Sequence, residues 1–192
     1  SKIEGFEEYR KATEYIDIND EIIQKANELV AGKTDWFEAV HEIADYIYNT
    51  MKYDKEFISS VQKASWVMKN KKGVCDEYTV LFLALVRALG IPARYVSGVA
   101  YSNIENDFGN HAWAEVYNGK EWVPFDTTFG QFGWIDASHL ALSKTFDAAI
   151  ANTKYRYTSA DIDTAPLDIK ANAVGKINEL NGIDFLEYSI LP

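Results

Sequence analysis

The stretch from Gly73 to Arg94 constrains the fold more than any other, because it sets the only cysteine of the chain directly ahead of the longest apolar run. Cys75 follows Gly73-Val74. Val80, Leu81, Phe82, Leu83, Ala84, Leu85, Val86, Ala88 and Leu89 come next, a run long enough for a buried helix. Gly90 and Pro92 then stop it. A thiol in the first turn of a helix meets unpaired backbone N–H groups and the positive end of the macrodipole, and both favour the thiolate.

A lone cysteine beside a core helix is ordinarily a small buried hydrophobe, but two downstream segments supply what a nucleophile needs. Asn110-His111-Ala112-Trp113-Ala114-Glu115-Val116 opens an alternating segment with a histidine, and Trp122-Val123-Pro124-Phe125-Asp126 closes another with an aspartate. A thiol needs a base to take its proton, and the imidazole needs a carboxylate to hold its tautomer. Asn118-Gly119 is a hairpin signal between the two segments. Antiparallel pairing across it brings His111 and Asp126 to the same end of the hairpin. Trp113 shares a strand face with His111 and is expected to wall the site, whereas Trp122 packs.

The blocks Gly73-Val74-Cys75, Arg87-Ala88-Leu89-Gly90-Ile91-Pro92-Ala93-Arg94, His111-Ala112-Trp113 and Trp122-Val123-Pro124 with Asp126 resemble the transglutaminase-like superfamily. These are papain-like cysteine enzymes that include transglutaminases and bacterial and archaeal cysteine proteases. The resemblance implies an α+β, papain-like core, with the nucleophile at the N-terminus of a central helix packed on an antiparallel β-sheet. It implies Cys75, His111 and Asp126 as the catalytic residues and a thioester intermediate; no metal-ligand cluster stands out in the sequence, and neither metal nor cofactor is expected. Tyr53 stands where the family often has an aromatic residue near the site, and its hydroxyl is a candidate oxyanion donor beside the backbone N–H of Cys75. Thr127 departs from the proline that many members carry after the aspartate, which bears on the loop shape and leaves the carboxylate in place. The implied activity is a cysteine protease, peptidase or amidase acting on a peptide or protein. The alternatives are a transglutaminase with an amine acceptor and a catalytically silent peptide-binding module. No calcium-ligand constellation is evident, which favours the hydrolase.

Two further expectations concern the thiol. A thiolate–imidazolium pair with His111 should bring it well below its ordinary range, and the neighbouring Asp76 and Glu77 should turn away from the sulfur.

The chain has 192 residues and a net charge of −10. Its length suffices for one real core, and its acidity argues against nucleic acid or an anionic membrane as partner. No apolar run is long enough to span a bilayer, so no direct membrane insertion is expected. The start at Ser1 suits a domain excised from a larger protein, and the compartment is left open.

The expected organisation is an N-terminal helical segment over residues 1–34, a catalytic domain over 35–150 and an extension over 151–192 that could complete the sheet. Trp36, Phe37, Val40, Ile43, Ala44, Ile47, Tyr48 and Met51 recur at helical spacing, with His41 off that face as a surface residue. Ser60 to Asn70 reads as a short helix, and Lys69-Asn70-Lys71-Lys72 as a solvated basic turn. Trp134 to Leu142 resembles the family's further strand, which implies a structural His139. Residues 154–159 and 183–190 read as strands, and 162–176 as a loop leading into a helix.

Overall fold

The computed structural model describes residues 6–58, 60–102 and 107–149; the expectations for 151–192 lie outside them. The elements are α1 (Asp20–Leu29), α2 (Trp36–Thr50), β1 (Lys52–Tyr53), α3 (Ala64–Asn70), β2 (Lys72–Gly73), α4 (Cys75–Ala88), β3 (Ala93–Ser102), β4 (Asp107–Tyr117), β5 (Trp122–Asp126), β6 (Gln131–Phe132) and β7 (Leu140–Thr145), with a short 3₁₀ turn at Glu7–Arg10 before them. Helices and an antiparallel sheet are thus combined as expected.

The first two helices start where a side chain satisfies their first amides. Asn19 accepts from the Ile22 N–H at 2.9 Å, and Asp35 accepts from Phe37 and Glu38 at 2.8 and 3.1 Å. The valine before α4 has no side-chain acceptor, so Glu77 reaches back instead. One of its carboxylate oxygens accepts the Val74 N–H at 2.8 Å and the other the Gln62 N–H at 2.9 Å. Gly73, with φ of +153°, lies under that carboxylate, and a Cβ there would collide with the Glu77 side chain.

The helix α4 runs through the centre of the core. Val80 to Val86 are all buried, and α1, α2 and α3 pack on one side of it while β3 and β4 pack on the other. This burial on all sides explains why its apolar residues run continuously while α2 shows a stripe. The sheet order is β6-β5-β4-β3-β7, antiparallel throughout. Side chains alternate along β4: Ala112, Ala114 and Val116 join the core with α4, and His111, Trp113 and Glu115 fall between them.

One buried cation ties distant parts of the chain together. Arg87, near the end of α4, donates to the Ala93 carbonyl from Nε at 3.1 Å and Nη2 at 2.9 Å, to the Lys11 carbonyl at 2.9 Å and to the Phe146 carbonyl at 2.7 Å. Burial lowers its pKa to about 10, which still leaves it charged.

Several boundaries differ from expectation. The helix before the basic turn starts at Ala64 and not Ser60, and β4 begins at Asp107, ahead of His111. The strand expected from Trp134 starts only at Leu140. Asp136 accounts for this, because it accepts the Ser138 N–H at 2.9 Å and bonds Gln131, holding 133–139 as a loop.

Candidate active site

The register between β4 and β5 pairs Ala114 with Phe125. Asp126 therefore falls opposite Trp113, and His111 is its diagonal neighbour on the same side of the sheet. The result is a short contact: His111 Nε2 lies 2.7 Å from Asp126 Oδ2. The other oxygen, Oδ1, accepts the backbone N–H groups of Thr128 and Phe129 at 2.8 and 3.0 Å. The chain turns tightly around this carboxylate with threonine in the place of the family proline, so Thr127 does not disturb it. Burial pushes Asp126 up, but the hydrogen bonds from His111 and His139 outweigh it and hold the carboxyl at about 2.

Cys75 opens α4 as expected, in a largely buried position. Its environment corrects the expectation of a depressed pKa. Burial pushes the thiol up, the Asp76 carboxylate adds to that, and the amides of Ala112 and Asp76 pull in the other direction without prevailing. Among the described residues the thiol has no hydrogen bond to the His111 ring. The amide that acts on it belongs to Ala112, the next residue along β4.

Glu77 does turn away, into the turn before α4. Asp76 stays close: it bonds the Tyr95 hydroxyl, is drawn on electrostatically by His111, and is raised above the usual carboxylate range by burial.

Tyr53, the oxyanion candidate, lies in β1. That strand pairs in parallel with β2, opposite Gly73, two residues before the cysteine. Its ring is half exposed and 6.4 Å from Tyr78. Trp113 is completely buried. Its ring lies 6.1 Å from His111 and 5.2 Å from His139, and its Nε1 has no hydrogen-bond partner among the described residues. It packs behind the imidazoles and does not face solvent as a cleft wall. Phe129 covers the His111 ring, stacked at 4.3 Å. The basic turn is engaged elsewhere, with the Lys71 and Lys72 ammonium groups over Tyr46 and Phe57. His41 is exposed, edge-on to Phe132.

His139 was expected to be structural, and its partners were not foreseen. Its Nε2 lies 3.0 Å from the same Asp126 Oδ2 that holds His111, and its Nδ1 lies 3.0 Å from Asp136 Oδ1. The signal was an aspartate three residues before a histidine, just downstream of Asp126. The ligand atoms of His111, Asp126 and His139 lie within 4.8 Å of one another, as in a metal site. Both His139 nitrogens face carboxylate oxygens, which only accept. The same contacts join the three residues as a hydrogen-bond network.

The family model of the transglutaminase-like superfamily matches residues 23–127, from within α1 to the residue after Asp126. The chain belongs to the transglutaminase-like superfamily. A candidate cysteine protease from Cytophaga hutchinsonii is 29% identical with a TM-score of 0.68, over 78% of this chain and 50% of that one. The periplasmic domain of TgpA from Pseudomonas aeruginosa shares the superfamily fold at 19% identity and a TM-score of 0.50, over 64% of this chain and 46% of that one. The uncharacterized protein YebA of Bacillus subtilis is 27% identical over 147 residues, 65% of this chain and 20% of that protein. The chain thus spans a fifth of the length of YebA and half of the Cytophaga protein.

Proposed function

We propose that the chain is a thiol-dependent acyl-transfer enzyme, a cysteine protease, peptidase or amidase, with Cys75 as nucleophile, His111 as base and Asp126 as its orienting carboxylate. The observation that carries this reading is the 2.7 Å contact between His111 Nε2 and Asp126. It commits one ring nitrogen to the carboxylate and leaves Nδ1 for proton transfer, at the residue beside the amide that touches the thiol. Membership of the superfamily and the likeness to a candidate cysteine protease support it.

In the reaction the thiol proton passes to His111 Nδ1 as the sulfur attacks the carbonyl carbon of an amide. The carbonyl electron pair moves to oxygen, where the backbone N–H of Cys75 receives the developing charge, with the Tyr53 hydroxyl as a second donor. Collapse breaks the C–N bond, and His111 returns the proton to the departing amine, giving a thioester. Water then attacks with His111 again as base, and the carboxylic acid and free thiol are regenerated. An amine in place of water would make the enzyme a transglutaminase.

The covered thiol, whose pKa burial pushes up, favours one other reading, a silent module that binds peptides without altering them. Incubation with peptide libraries and with iodoacetamide separates the two. The enzyme cleaves a subset of peptides, is silenced once iodoacetamide has alkylated Cys75, and loses cleavage as Cys75→Ala. Bound peptides recovered intact from the unalkylated wild type would overturn the proposal.

A further inference from the structure

We propose that His139 is a positioning residue for this site, an imidazolium that clamps Asp126 from behind and offsets part of its charge before it reaches His111. The inference rests on the reading of Cys75 and His111 as nucleophile and base. Three observations lead to it.

The first is the chemistry of the partners. Asp126 Oδ2 lies 3.0 Å from Nε2 and Asp136 Oδ1 lies 3.0 Å from Nδ1. A ring nitrogen without a proton would set its lone pair against a carboxylate lone pair, so the ring satisfies both contacts only as the cation. Burial opposes the charge, but the two carboxylates outweigh it and raise the pKa of His139 above its ordinary value.

The second is rigidity. The far carboxylate is itself held: Asp136 Oδ2 accepts from the Gln131 side-chain amide at 2.7 Å, and the Asp136 N–H donates to the other end of that amide at 2.9 Å. The path Gln131, Asp136, His139, Asp126, His111 therefore runs from β6 through the loop to β4. Trp113 and Phe129 pack on the His139 ring at centroid distances of 5.2 and 5.6 Å, which fixes its plane.

The third is electrostatic. The charged or titratable groups facing His139 are Asp126 at the end of β5, Asp136 in its own loop and His111 on β4, whose ring is 5.6 Å away. The carboxylate that would stabilise a His111 imidazolium is shared with a ring that already holds the charge. His139 thus holds Asp126 in place and takes up part of its charge, so that only the remainder bears on His111.

The test uses His139→Gln, which keeps an amide donor for Asp126 and removes the charge, and Asp136→Asn, which leaves the histidine and weakens its hold on the second proton. The rate of Cys75 alkylation by iodoacetamide is followed against pH for wild type, both variants and His111→Ala. Ring ¹⁵N NMR of the wild type reads the protonation of His139 directly. The expected result is a doubly protonated His139 at pH 7 and a midpoint lowered by about one unit in both variants, so that labelling below the midpoint is about tenfold faster. A packing role alone would leave the midpoint in place. A neutral His139 at pH 7, or a midpoint that His111→Ala moves and neither variant does, overturns the inference alone. A midpoint that His111→Ala does not move overturns the parent reading together with it.

Discussion

Asp126 does the most at the scale of single residues, because its two oxygens satisfy two imidazoles and two backbone amides. Asp126→Asn would place an amide N–H against one of these donors. We expect kcat on a cleaved peptide to fall on the order of 10³-fold with the protein still folded, as the imidazole loses its preferred tautomer. Its linkage to folding runs in the acid direction. A carboxyl at about 2 in the folded protein against 3.8 ordinarily contributes stability that is present above 3.8 and lost as pH falls toward 2. Denaturant melts in that window should show wild type losing stability with falling pH while the asparagine variant changes less. Glu77 has the opposite sense. Burial raises it from 4.5 to about 7, so its contribution is present below 4.5 and lost as pH rises through 7. Glu77→Gln keeps one of the two accepted N–H bonds, and melts should show it less stable by about 1 to 3 kcal/mol at pH 5.

Among the elements, the turn into α4 and the junction of β3 with β7 place the site. Gly73→Ala would drive a methyl group into Glu77 at a backbone angle side chains avoid. The expected cost is about 1 to 3 kcal/mol, read as a lower denaturation midpoint, with faster backbone exchange at Val74 and Cys75. A Cβ on Gly98 would strike the Leu140 carbonyl where the β3–β7 register shifts, beside Trp113. Gly98→Ala should therefore displace β7 and, with it, His139, which NMR would report as a changed ring signal. The opening of α4 at Cys75, the Asn118-Gly119 hairpin and the meeting of His111 with Asp126 were legible because apolar runs and turn residues act locally. The His139 contacts were not, since they depend on where a loop folds back over the sheet. Nor was the covered thiol, since the position of Cys75 in the helix says nothing of how closely β4 packs upon it.

For the whole molecule, the pH dependence of stability follows from these groups together. Asp126 and Asp136, both at about 2, add stability as pH rises toward 4. Glu77 withdraws it between 4.5 and 7, and His139 withdraws it above 6.5, through its raised pKa. The net charge of −10 at pH 7 adds repulsion in the same direction. Stability should thus peak in mild acid, with the denaturation free energy at pH 5 exceeding that at pH 8 by about 1 to 2 kcal/mol. A peak at or above neutral pH in urea titrations would contradict this balance.

The guanidinium of Arg87 sets the limits for trimming the protein. It is held by carbonyls at Lys11, Ala93 and Phe146, one ahead of the first long helix and one past the last strand. Shortening the chain from either end past these points would strand a positive charge in an apolar interior, so any autonomous fragment has to keep both margins although neither carries a residue of the site.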